Sequence, residues 1–201
     1  MNKYYTIFVL CLFLNACYIA KPLNDSITFS YNQDFEIIFE QTAESKYLNS
    51  EQKDIYKNEY VQKLISELDY YNIKLNNSAN SKSDIDLVIN EFKMSETSSQ
   101  ETINDEKSEY NAYTFTLNDC DIDVEYTLMK NGIEIGKYSN WVDKEEKISN
   151  NRNIGDYMFG TNKDNLTYRF KSLDDDIFVT LTKKLANRTA AKITKKIKNK
   201  L

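Results

Sequence analysis

Three thiols, a row of alternating aspartates and a complete lack of histidine set the chemistry open to this chain. Without histidine, neither a Ser-His-Asp nor a Cys-His arrangement can be assembled from the chain alone, and a frequent zinc ligand is missing. Acid–base work would fall to paired carboxylates, and nothing in the sequence singles out a pair. Asp119, Asp121 and Asp123 open like a calcium loop, but Val124 stands where such a loop needs glycine, and no glutamate fits its last position. A spacing of two is better read as the wet face of a strand. Only four glycines occur, and no Gly-rich run could cradle a phosphate. No catalytic residue, metal ligand or cofactor is assigned, and the chain reads as a non-enzyme.

Among the thiols, Cys17 has the most informative surroundings. Lys3 is followed by eleven uncharged residues, from Tyr4 to Leu14, and then by Asn15, Ala16 and Cys17. One lysine before a short apolar core is the pattern of a secretory signal. The apolar core is far short of the ~20 residues that a helix needs to cross ~30 Å of hydrocarbon. Leu14-Asn15-Ala16-Cys17 resembles the lipobox of bacterial lipoproteins, with leucine three residues before the cysteine and a small residue just before it. Asn15 departs from the small or hydroxyl residue usual at its place. The resemblance implies a signal peptide over 1–16 and a mature chain beginning at Cys17, lipidated with palmitate-type acyl chains and held at a membrane. The chemistry suits the position, because the group that takes the diacylglycerol is a thiol at the end of a membrane-inserted segment. Acyl chains contribute roughly 0.8 kcal/mol per buried CH₂, so two or three of them anchor a protein unaided. The alternatives are a plain secretory signal cleaved near Ala16 or Ala20, with Cys17 an ordinary thiol, or an uncleaved anchor. Tyr18 in place of aspartate after the cysteine resembles an outer-membrane sorting pattern. The expected location is therefore the bacterial cell envelope, lipid-anchored at the outer membrane, on its periplasmic or surface face.

Behind this segment the composition is that of a folded domain, with 41% hydrophobic and 28% charged residues. Residues 17–26 hold the single proline, Pro22, and read as a tether; 27–201 read as one domain. Cys11 leaves with the signal, so Cys120 has no partner and no disulfide framework is expected. In a strand-like run Cys120 reads as a small core residue.

The elements follow from periodicity. Ile27, Phe29 and Tyr31 alternate with polar residues, and Phe35 to Phe39 forms a second apolar run. Between Ser50 and Tyr71, residues Tyr56, Tyr60, Val61, Leu64, Ile65, Leu68 and Tyr71 recur at three and four, the spacing of one helical face, with Asn49 or Ser50 as its cap. Residues 84–94 read as a strand, 95–110 as a mobile polar connection, and 112–117 as another strand. Ile122, Val124, Tyr126 and Leu128 alternate up to Asn131-Gly132, and Ile133 and Ile135 follow. Asn-Gly between alternating runs predicts a hairpin with a type I′ turn, Lys130 facing Ile133 and Leu128 facing Ile135. Residues 139–172 read as a long excursion, with Trp141, Tyr157, Phe159 and Tyr168 as aromatic anchors or a binding surface. From Asp174 onward, Ile177, Phe178, Leu181, Leu185, Ala186, Ala190, Ile193 and Ile197 form a second helical stripe.

The predicted fold is α+β, a mainly antiparallel sheet with two helices packed on one face, behind the lipoprotein signal peptide. In outline it resembles small envelope-assembly lipoproteins such as the penicillin-binding-protein activators and the curli-secretion lipoprotein, with 51–72, 84–94, 121–138 and 174–198 as the matching pieces. Residues 183–201 carry eight Lys or Arg and no acid, in a chain of net charge −5. The expected use of Lys183 to Lys192 is a solvated helix face; Lys195 to Lys200 could also meet anionic lipid or an acidic partner. Nucleic acid is excluded by the acidic balance and the lack of basic patches beside stacking aromatics. Two functions remain. One is an adaptor for another envelope protein, docked through a strand edge or the 139–172 region. The other is a carrier of lipid, glycolipid or a small ligand between sheet and helices.

Overall fold

The computed structural model describes residues 21–32, 34–42, 44–76, 83–152 and 167–199, so Cys17, Tyr157 and Phe159 lie outside the described residues. The strands are β1 (Ile27–Tyr31), β2 (Ile37–Gln41), β3 (Ile73–Asn76), β4 (Ile85–Thr102), β5 (Thr114–Lys130), β6 (Ile133–Glu145), β7 (Lys147–Asn150) and β8 (Tyr168–Lys171). The helices are α1 (Lys53–Tyr70), entered through a 3₁₀ turn at Ser50–Gln52, and α2 (Ile177–Lys198). Six strands form the main sheet in the order β3-β1-β4-β5-β6, with β2 also on β4, and β7 pairs with β8 separately.

The sheet is mixed, where a mainly antiparallel one was expected. β1 pairs in parallel with β3 and β4, and β2 pairs in parallel with β4; only β4–β5 and β5–β6 are antiparallel. The cause is the crossover through α1, which returns the chain to start β3 in the direction of β1. Alternation along a strand reports which face is buried and carries no information on strand direction. β1 and β2 share one side of β4, against 85–87 and 92–96 respectively.

The helical periods translate directly into the core. α1 buries Tyr56, Tyr60, Leu64 and Leu68, and α2 buries its whole predicted stripe. Asn49 caps the 3₁₀ turn by accepting from the Glu51 amide at 2.9 Å. These faces meet Phe92, Met94, Ile122, Val124, Tyr126 and Leu128 in one continuous core. Phe92 lies 4.8 Å, ring to ring, from Tyr60 and 5.8 Å from Phe35. Removing a ring so enclosed costs about 3–5 kcal/mol. Cys120 belongs to this core as a buried free thiol.

The Asn-Gly hairpin forms, with φ of 54° at Asn131 and 74° at Gly132 and Lys130 opposite Ile133. Two residues further in, the expected register fails. Met129 faces Glu134 and Leu128 faces Gly136, so Ile135 is the extra residue of a bulge. Gly136 fits there because a β-carbon would meet the Tyr138 hydroxyl at 2.6 Å.

Two segments read as connections are strands. Residues 95–102 continue β4, paired to β5 through Thr102 and Thr114. Their polar sequence hid a structural carboxylate. Glu96 is fully buried and accepts from the backbone amides of Lys46 at 2.7 Å, Tyr47 at 2.9 Å and Leu48 at 2.7 Å. Within 139–172, residues 139–145 belong to β6, and β7 and β8 form a ribbon. Only Val142 of the β6 stretch 139–145 is fully buried, so its apolar alternation is too sparse to read. The strand at 73–76 was also missed, being four residues directly after a helix.

Candidate functional site

The helices are too short to cover the sheet. At ~1.5 Å per residue α1 and α2 reach about 27 and 33 Å, whereas β4 at ~3.3 Å per residue extends nearly 60 Å. Burial follows this mismatch. The core-facing positions of β4 are buried up to Glu96, those of β5 from Asn118 onward, and the remainder of both strands is a paired arm beyond the helices.

Segment 103–113 closes the arm in a fixed conformation. The Ile103 amide donates to the Tyr113 carbonyl at 3.1 Å, and the Ala112 amide to the Ile103 carbonyl at 2.8 Å, with Ala112 at φ 62°. Asp105 takes the Lys107 amide at 3.1 Å on its side chain, and Asn111 takes the Asp105 amide at 3.0 Å. Ile103 is buried beneath these bonds. A loop satisfied in this way holds its side chains in place before any partner arrives.

What it holds is aromatic. Tyr110 lies 6.2 Å from both Tyr113 and Phe115, and Phe115 stacks on Phe170 of β8 at 6.3 Å. Tyr113 is 60% exposed and Phe170 49%. The Tyr168 hydroxyl donates to Asp105 at 3.3 Å and ties the β7–β8 ribbon to the loop. The tip therefore presents an ordered aromatic surface, of the kind enriched at the centres of protein interfaces.

Of the aromatic residues expected to bind, Tyr168 is placed at this tip. Trp141 is exposed on β6, opposite Asp123 on the open face of the sheet, away from the tip. Tyr110, Tyr113, Phe115 and Phe170 were not singled out. Three aromatics in six residues, Tyr110 to Phe115, inside an otherwise polar stretch was the available signal.

Below the arm, a buried polar network fixes segment 44–48 to the sheet. Glu146 accepts from the Tyr47 hydroxyl at 2.5 Å, the Asn118 amide at 2.9 Å and the Asn118 side chain at 3.0 Å. Burial alone would raise the Glu146 pKa, but these hydrogen bonds outweigh it and hold the carboxyl below the ordinary glutamate range. Burial, with Glu96 next in effect, pushes the Cys120 thiol far up, so it is no nucleophile.

The open face of the sheet is acidic. Asp121 faces Asp143, Asp119 faces Glu145, and Glu91 faces Glu125 across adjacent strands. Partial burial, then the neighbouring Asp121, raises the Asp119 pKa. The aspartates at 119, 121 and 123 thus lie on the solvent face of β5. Among the described residues no group of three His, Cys, Asp or Glu could hold a metal ion.

One edge of the sheet is already covered. Arg188 donates to the Trp141 carbonyl at 2.8 Å, Lys192 to the Ser139 carbonyl, and the Asn140 side chain to Thr189 at 3.1 Å. The basic residues of α2 thus cap the outer carbonyls of β6 that an incoming strand would use. Lys183 pairs with Glu59 at 3.1 Å.

No protein-family model matches the chain, and no curated protein matches it. Solved structures similar to it include a neuraminyllactose-binding hemagglutinin homolog from Helicobacter pylori, 10% identical, covering 89% of each chain at a TM-score of 0.47. A minor lipoprotein from Acinetobacter baumannii is 12% identical, over 86% of this chain and 92% of its own, at 0.36. Rare lipoprotein B from Shewanella oneidensis is 13% identical, over 82% of this chain and 94% of its own, at 0.32. Likenesses at this level fix neither a family nor an activity.

Proposed function

We propose that this chain is a lipid-anchored accessory protein of the bacterial envelope, held at the outer membrane through Cys17 and docking another envelope protein at the aromatic tip. The observation that carries the reading is the placement of that tip. The described chain enters at Lys21, beside the starts of β1 and β3, and the exposed rings lie at the opposite end of β5. The 17 residues of β5, at ~3.4 Å each, separate the two ends by about 55 Å. Such a molecule projects a preformed docking surface away from a membrane with no need for catalysis. The carrier alternative gains no such support, because Tyr56, Tyr60, Tyr126 and Phe92 fill the space between sheet and helices.

Two substitutions test the reading on the full-length chain in cells. Cys17→Ala is expected to move the protein from the membrane to the soluble fraction, and retention at the membrane contradicts the anchor. Tyr113→Ala with Phe170→Ala is expected to weaken capture of the partner from detergent extracts at least tenfold (~1.4 kcal/mol), since interface aromatics are frequent hot spots. Undiminished capture places the docking surface elsewhere.

A further inference from the structure

The opposite end of the molecule has its own composition. α1 and α2 run in parallel, with Tyr56 near Phe178 and Glu59 near Lys183, so both helices end at the base. There the Leu23 amide donates to the Tyr71 carbonyl at 3.1 Å, and Lys198 donates to the Lys21 carbonyl. The Asn131-Gly132 turn joins β5 and β6 at this same end, because Met129 faces Asp86 near the start of β4. Exposed on the base are Lys195 and Lys198, with Lys130 at the turn. At the same end, Ile133 at the start of β6 is 72% exposed and Tyr70 at the end of α1 is 61% exposed.

We propose that this base is a contact surface for anionic phospholipid headgroups, a second membrane attachment beside the acyl chains. The inference rests on the reading of Cys17 as the lipidated residue. Cys17 and Lys21 are four residues apart, a span of at most ~14 Å for any backbone conformation. The base is therefore the part of the protein that the anchor holds nearest the bilayer. Its side chains match that neighbour. Lysines extend an ammonium from an apolar stem, and tyrosine and isoleucine suit the headgroup boundary. Of the acids at this end, Asp84 is tied to the Thr28 amide at 2.8 Å and Asp86 to Ser30 at 2.5 Å. Asp25, Asp69 and Glu134 are exposed at this end as well. Basic residues near an anionic surface add an electrostatic attraction to the hold that the acyl chains provide.

The test uses the full-length lipidated protein reconstituted into vesicles of phosphatidylcholine alone or with one-third phosphatidylglycerol. Lysines are acetylated with a water-soluble reagent, and the rate at each is read by mass spectrometry. Lys21, Lys195 and Lys198 are expected to react at least about fivefold more slowly on the anionic vesicles, with the difference lost at ~0.5 M salt. Lys93 and Lys147, on the sheet away from the base, are expected to react equally on both. Lys195→Gln with Lys198→Gln is expected to restore the Lys21 rate to its value on neutral vesicles. Equal rates on the two vesicles overturn the proposal, leaving these lysines to the helix C-terminal dipoles. Protection equal on both but greater than in detergent also overturns it, assigning the surface to contact between copies. The intact mass separates the two claims. An acylated chain with unprotected lysines sinks this inference alone, and a chain without acyl mass sinks the anchor as well.

Discussion

The β4–β5 ladder is one structure with two fates. From Ile85 to Glu96 it is backed by both helices, and its inward side chains are buried among Tyr60, Leu64, Leu185 and Ile193. Beyond Glu96 the same two strands continue with the same pairing and no helix behind them. Apart from a register shift at Asn90 in the covered half, the strands pair alike in both halves, so the main difference lies in what the side chains meet. The covered half holds the apolar burial that drives folding, and the bare half is free to carry exposed rings. Substitutions should therefore separate stability from docking according to the side of Glu96 on which they fall.

The largest effect is expected at the boundary itself. Glu96→Ala leaves the buried amides of Tyr47 and Leu48, and the partly buried amide of Lys46, without an acceptor and should cost about 3–5 kcal/mol in denaturant titration. Tyr113→Ala, in the loop that closes the bare half, and Phe170→Ala, on β8 beside it, should each cost no more than about 1 kcal/mol. A similar loss in both halves would erase the distinction.

Tyr47→Phe sharpens it through pH. It removes the hydroxyl that donates to Glu146, and a bond to a charged acceptor is worth about 1.5–3 kcal/mol. The Glu146 carboxyl is held low in the folded state, so its contribution is present above the unfolded value, near ~4.3 for glutamate, and is lost as pH falls through the lower folded value. The gap in stability between Tyr47→Phe and the parent should therefore be widest near neutral pH and narrow in acid. A gap that stays constant would mean that Glu146 is not the group involved.

The smallest effect should have the opposite sign. Asp143 faces Asp121 on the open face, and directly opposed like charges destabilise a strand pair. Asp143→Asn is expected to stabilise the chain by about 0.5 kcal/mol, more at low salt than at high. Burial first, and then the neighbouring Asp121, raises the Asp119 pKa, so its ionisation weakens the fold as pH rises through the carboxylate range.

What the sequence made legible follows the same division. The covered half was readable because burial imposes a period: the α2 stripe, the alternation from Ile122 to Leu128 and most of the α1 stripe lie in the core, with Val61 partly buried at its margin and Ile65 outside it. The turn was readable because Asn131-Gly132 has few other uses. Strand direction was not, since β1, β2 and β3 would alternate identically in either sense. The bare arm was not, because a strand exposed on both faces loses the period that marks strands. Glu96 was hidden for a related reason, as one buried carboxylate in a polar run looks like a loop residue. Of the aromatics expected to bind, Tyr168 lies at the tip and Trp141 on another face; Tyr110, Tyr113 and Phe115 cluster within the arm itself, and only the place of Phe170 beside Phe115 depends on how β8 packs.

The most direct test of the account compares the two ends in living cells. A photo-cross-linking residue at position 113 and, separately, at position 70 would be activated in the full-length protein, and the products identified by mass spectrometry. The account predicts one envelope protein joined at 113 and not at 70. The same partner at both positions, or a partner at 70 alone, would contradict a docking surface at the tip.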